Sequence, residues 1–139
     1  MKRLSTAILL IFVTLCFCGC GGGTKLSTLT GLHADDIEDV RYGRIMQSLT
    51  APILESNYKR FFASIDVGYS QCEDEDIYAL IYTDGINDVM CFHVSFKDEG
   101  WMNAYQLPNK KICVDYNDGE NDYHYVSNGP VHIPFFILL

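Results

Sequence analysis

The side chains best suited to chemistry are a thiol and an imidazole two residues apart, Cys91 and His93, and two acidic stretches, Cys72–Asp76 and Asp115–Asp122. A cysteine nucleophile needs a base to take its proton, and Cys91 with His93 supplies both types on one strand face. Alternate strand residues lie ~7 Å apart at the backbone, so a direct thiol–imidazole hydrogen bond is strained. A buried thiol beside a half-exposed histidine is the simpler reading. The stretch Asp115-Tyr116-Asn117-Asp118-Gly119-Glu120-Asn121-Asp122 suggests calcium. An EF-hand loop starting at Asp115 needs glycine at the sixth position, where Glu120 stands, and a bidentate glutamate at the twelfth, where Ser127 stands. That match fails, which leaves a solvated acidic loop with an irregular calcium site as the lesser alternative. Cys72-Glu73-Asp74-Glu75-Asp76 reads most simply as a charged loop before a strand. His33, His124 and His132 complete the histidines, and none falls in an H-E-x-x-H spacing. There is no C-x-x-C pair, nucleophile elbow, phosphate-cradling glycine loop or dinucleotide fingerprint. The motifs therefore assign no catalytic residue, no metal ligand and no cofactor.

The elements that must position these groups follow from periodicity. Ile37–Tyr42 alternates and reads as a first strand. Thr50–Ile65 reads as the main helix, with Thr50 as cap, Pro52 in the first turn, and Ile53, Leu54, Tyr58, Phe61, Phe62 and Ile65 on one face. From Ile77 the period becomes two. Ile77–Thr83, the turn Asp84-Gly85 and Ile86–Phe96 read as a β-hairpin. Its register puts Ile77, Ala79, Ile81, Met90, Phe92, Val94 and Phe96 on a core face. The opposite face then carries Tyr78, Leu80, Tyr82, Val89, Cys91 and His93, a mixture typical of an interface.

Turns at Lys97–Gly100 and Leu107–Lys110 extend the hairpin into a meander through Trp101–Gln106 and Lys111–Tyr116, which adds Trp101, Tyr105, Ile112, Val114 and Tyr116 to the core face. A short helix over Trp101–Gln106 is the alternative. Two strands apart on one face, Cys91 and Cys113 would be about 9–10 Å from each other, beyond disulfide reach. Val131–Leu139, with Pro134 inside it, reads as an edge strand. The expected fold is α+β: an antiparallel sheet of four to six strands with the helix at about 50–65 packed on one face.

The N-terminus places this domain. Lys2 and Arg3 precede the apolar run Ala7–Phe17, which is too short to span a bilayer. It ends in Phe17-Cys18-Gly19-Cys20, followed by Gly21, Gly22 and Gly23. The arrangement resembles a bacterial lipoprotein signal peptide. Gly19 is the small residue the pattern wants before its cysteine, whereas Cys16 follows Leu15 and Cys18 follows Phe17. The resemblance implies removal of residues 1–19 and a lipidated, palmitate-bearing Cys20. It further implies a flexible tether over 20–36 and one extracytoplasmic domain over 37–139. Gly21 carries no Asp-type retention signal, which favours the outer membrane in a double-membrane cell and the cell membrane otherwise.

With Lys2 and Arg3 removed, eight of the ten Lys and Arg face 18 acids, a formal charge of −10. Phosphate backbones would repel such a domain, so nucleic acid is not an expected partner. The expected function is a lipid-anchored extracytoplasmic binding or interaction module, more a binder than an enzyme. It would meet the membrane through Cys20 and an envelope protein through Tyr78, Leu80, Tyr82, Val89 and His93. The alternatives are an envelope enzyme or metal-dependent site built from Cys91, His93 and the acidic loops, and an inhibitor or accessory subunit presenting Cys72–Asp76 to a basic partner.

Overall fold

The structure, a computed structural model, describes residues 23–45, 49, 51–83 and 89–138. The signal segment, Cys20, the Thr50 cap and the Asp84-Gly85 turn lie outside the described residues.

The chain opens with β1 (Thr24–Lys25), α1 (Leu26–Thr30) and a 3-10 turn at Ala34–Asp36, followed by β2 (Ile37–Arg44) and β3 (Ala51–Pro52). A second 3-10 turn, Glu55–Asn57, leads into α2 (Tyr58–Ile65), then β4 (Gly68–Gln71) and α3 (Asp74–Thr83). The meander follows as β5 (Met90–Phe96), β6 (Trp101–Gln106), β7 (Ile112–Asn117) and β8 (Asp122–Ser127), and the chain closes in a 3-10 turn at Phe135–Leu138. The strands form one eight-stranded sheet in the order β1-β4-β8-β7-β6-β5-β2-β3, antiparallel at every pairing.

This corrects the expected α+β fold of four to six strands around one main helix. Eight strands dominate, and the described helices are short and lie on both faces of the sheet. Only Tyr58–Ile65 of the expected long helix is α-helical. Upstream, Arg41 pairs with Pro52 and Tyr42 with Ala51, and the Ile53 amide donates to the Val40 carbonyl at 3.0 Å. Pro52 suits this place because β3 is the sheet's last strand and needs no further donor there. Leu54, expected on the helix's apolar face, is exposed.

The hairpin is corrected too. Ile77–Thr83 belongs to α3, with Ile77 and Ile81, four apart, buried together and Tyr78 and Tyr82 exposed on the outside. An unbroken apolar run carries periods of two and 3.6 equally well. The helix-start signal is Asp74-Glu75-Asp76, three acids in the first turn, where the backbone dipole favours negative charge.

The later meander strands form where expected, but β6 presents its other side. Trp101 and Tyr105, expected on the core face with Ile112, Val114 and Tyr116, lie on the opposite face, and Met102 and Ala104 are buried in the core instead. Cys91 pairs with Tyr105 and Tyr105 with Cys113, which puts the two thiols two strands apart, and Cys72, Cys91 and Cys113 are all free. Gly100 makes the first turn possible. Its φ is +123°, and a Cβ there would meet the Asn117 carbonyl oxygen at 2.7 Å.

One sheet face is the main core. Val40, Phe92, Val94, Phe96, Met102, Ala104, Ile112, Val114 and Tyr125 line it, covered by Phe61, Phe62 and Ile65 of α2 and by Leu26 of α1. Val131, Ile133 and Ile137 of the C-terminal tail close it. The tail is buried as expected, but it is not the expected edge strand. It crosses the core face and ends in a 3-10 turn, where Ile137 donates to the Pro134 carbonyl and the Tyr42 hydroxyl to that of Leu138. The edges of the sheet belong to β1 and β3.

Candidate functional site

The opposite face is the chemically varied one. Antiparallel register aligns its side chains in rows that run across the strands. One row holds Cys91, Tyr105, Cys113 and Val126. It lies beside the smaller apolar cluster of Ile77 and Ile81 of α3 with Val89, Leu107 and Cys113. The next row is polar throughout: Arg41, His93, Asn103, Asp115 and His124. The row beyond holds Asp39, Ser95, Trp101, Asn117 and Asp122.

These rows are tied by short contacts. The His93 ring shares a 2.6 Å hydrogen bond through Nδ1 with Asn103 Oδ1 and stacks near Trp101, with ring centroids 6.0 Å apart. Arg41 Nε donates to Asp39 Oδ2 at 3.0 Å. Trp101 is 37% exposed, the largest aromatic surface on the open part of this face.

At the other end, His124 Nδ1 meets Asp115 Oδ1 at 2.7 Å, a cross-strand pair between β7 and β8. Asp74 joins them from α3. The Cys72 amide donates to the His124 carbonyl at 3.0 Å, which extends the β4–β8 pairing to the residues just before α3. Asp74 Oδ1 then lies 3.9 Å from His124 Nδ1. One ligand atom from each of Asp74, Asp115 and His124 lies within 4.8 Å of the others, a grouping with the donors to hold a metal ion.

Burial pushes the Asp115 carboxyl above its ordinary range. The hydrogen bond and charge of His124 act against that rise, while Asp74 and Asp122 add like-charge repulsion. Burial also pushes the Cys91 thiol up to about 12, with Asp115 adding to it, and the Cys72 thiol up to about 11, helped by Asp76 and Asp115. Tyr105, between Cys91 and Cys113 in the register, is raised in the same way. Cys91 is thus a buried, protonated thiol, and the ring of His93 is engaged by Asn103. The pair lacks the activation a nucleophile requires.

The residues expected to form one partner face are distributed over several elements. Tyr78 and Tyr82 pack together, tilted by 34° with centroids 4.3 Å apart, on the outer side of α3, 62% and 53% exposed. Leu80 is half-buried beside the smaller cluster, Val89 is fully buried within it, and His93 stands on β5. The acidic loops divide as well. Asp118 accepts from the Glu120 and Asn121 amides at 2.9 and 2.8 Å, and Asn117 accepts from Gly119 at 2.7 Å. Those backbone donors hold the Asp118 carboxyl below its usual range. The carboxylate of Asp118 therefore serves the β7–β8 turn.

Asp74, Asp115 and His124 were not singled out as a set by motif. A signal existed: extending Ile112–Asn117 through an Asx-type turn into 122–127 pairs Asp115 with His124. Asp74 carried no such signal, because its approach depends on α3. Comparisons with protein-family models, characterised proteins and solved structures find no match for this chain. Among the described residues, no helix is long and apolar enough to cross a membrane.

Proposed function

We propose that the protein is a lipid-anchored, non-enzymatic binding module on the extracytoplasmic side of a bacterial envelope. It is tethered through Cys20 and engages a protein partner through the open part of its polar sheet face. The observation that carries this reading is the in-register set Arg41, His93, Asn103, Ser95 and Trp101 on β2, β5 and β6. α3 packs instead over the apolar cluster and beside β8. Trp and Arg on a rigid surface are among the residue types that dominate interface energetics. The acidic charge balance argues against nucleic acid, and the signal-peptide resemblance argues for the envelope. Tyr78 and Tyr82 form a second exposed aromatic pair within the same proposal.

Two experiments test it. A photo-crosslinking residue at Ser95 or Arg41 in cells should yield a discrete adduct that the same probe at Glu75 on α3 does not, and Trp101→Ala should abolish it. Identical adducts from all positions, or none from any, would count against this face. Metabolic labelling with a palmitate analogue should mark the wild type and not Cys20→Ala. Label retained in the variant would refute the anchor.

A further inference from the structure

We propose that Asp74, Asp115 and His124 bind one divalent transition-metal ion, zinc foremost, at the junction of α3, β7 and β8. The site stands apart from the Trp101 end of the face and does not depend on the binding-module reading.

The donor set is one imidazole nitrogen and two carboxylate oxygens from three separate elements. Imidazole favours zinc, copper, nickel and iron over calcium and magnesium, and added carboxylates suit zinc and manganese. Three protein ligands leave a fourth position of a tetrahedral ion to water or a partner's side chain.

The geometry is close to what an ion needs. Bonds of ~2.0–2.2 Å in a tetrahedron put neighbouring ligand atoms ~3.3–3.5 Å apart. The present separations from His124 Nδ1 straddle that value, 2.7 Å to Asp115 Oδ1 and 3.9 Å to Asp74 Oδ1. Opening the first by about 0.6–0.8 Å and closing the second by about 0.4–0.6 Å brings both to that value. The Asp74–Asp115 side, within 4.8 Å, closes as Asp74 moves inward. Strand register holds two of the ligands, whose side chains are only 20% and 22% exposed for Asp115 and His124, so little ordering entropy is lost. Asp74, 75% exposed at the start of α3, has the freedom to swing inward. On binding, the imidazole proton rests on Nε2 and the Nδ1 lone pair faces the ion, replacing the hydrogen bond to Asp115.

Electrostatics point the same way. Two carboxylates share one imidazole, and Asp122 adds to the negative potential at Asp115. Asp76 and Glu73 act on the adjacent Cys72. A cation at this point relieves like-charge repulsion that the fold otherwise sustains. Asp74 also serves as an acid in the first helical turn. That role would be met by any direction of its side chain and does not explain the approach to His124.

The test is calorimetric titration of chelator-treated, detergent-solubilised full-length protein with zinc chloride, and separately with manganese, nickel and calcium chlorides. One equivalent of zinc should bind, more tightly than manganese and far more tightly than calcium. Asp115→Asn and His124→Gln should each weaken zinc at least tenfold, Asp74→Asn by less, and His132→Gln not at all. Asp74→Asn and His132→Gln alter exposed side chains, so both leave a folded protein for comparison, checked by circular dichroism. Cobalt should report the same donors by lacking a thiolate charge-transfer band. Absence of stoichiometric zinc binding, affinity unchanged in the Asp115 and His124 variants, or a thiolate band implicating Cys72 would each overturn the assignment.

Discussion

The two faces of the sheet solve different problems. On the core face, alternate residues of β2, β5, β6 and β7 are apolar along almost their whole length, and three covering segments converge on them. On the other face the same strands carry Cys91, His93 and Ser95, then Asn103 and Tyr105, then Cys113, Asp115 and Asn117. One strip of that face is apolar enough to seat α3, and the rest is polar and hydrogen-bonded. Among the described residues every buried side-chain nitrogen and oxygen has a partner. Ser127, the buried polar residue, accepts from the Ile112 amide and donates to the Gly129 carbonyl. Stability is concentrated on one side, and the other is left to carry chemically useful groups.

That contrast can be broken most directly in the main core. Phe92, fully buried and edge-to-face with both Phe61 and Tyr42, is its centre. Phe92→Ala should lower unfolding free energy by about 3–5 kcal/mol in urea titration. A loss under about 1 kcal/mol would mean that the core face does not dominate. Ile77→Ala removes an anchor of α3 and should cost about 2–3 kcal/mol, the lower part of the range for such truncations, because the second cluster is small. Hydrogen exchange should accelerate across Asp74–Thr83 well before it does in β5–β7; uniform acceleration would erase the distinction between the faces.

A smaller effect, opposite in sign, is expected at Asp115. Its folded carboxyl titrates above its unfolded value, so the native state holds that proton more tightly. Stability contributed by the protonated form is present below the unfolded carboxylate range and is lost as pH rises through the raised folded value. Asp115→Asn keeps an oxygen that can accept from His124 and removes the half-buried charge. In chelator it should be as stable as wild type at neutral pH or more stable, within about 1 kcal/mol, with the difference shrinking as pH falls through the carboxylate range. A clear loss at neutral pH would make the Asp115–His124 pair a structural necessity.

The smallest stability effect belongs to Trp101→Ala, within about 1 kcal/mol for a side chain on the open face, while partner crosslinking is lost. Thiol labelling gives a further graded check. Cys72, half-buried, should alkylate first, and Cys91 and Cys113, both buried, only as the protein opens. Equal rates would place α3 elsewhere.

Much of the sheet was legible. Alternation marked β2, β5, β6 and the start of β7, and the turns at Lys97–Gly100 and Leu107–Lys110 held their place. α3 was not legible from apolar periodicity, because Ile77-Tyr78-Ala79-Leu80-Ile81-Tyr82 satisfies a strand and a helix alike. β1 and β3, two residues each, carry too little pattern to announce themselves. The polar loop at Asn117–Asn121 is the β7–β8 turn, with Asp118 as its Asx cap, but β8 beyond it carried too few alternating apolar residues to be read as a strand.

The sequence by itself determined the alternation that makes a sheet, the apolar residues that fill its core, and the acidic balance that sets its surface charge. Those properties are local or compositional, written in neighbouring residues. Only the tertiary structure decided that Asp74 would meet Asp115 and His124, and that His93 would join Asn103 instead of Cys91. Such meetings depend on strand order, register and the side on which α3 packs, which follow from how the whole chain buries its apolar surface.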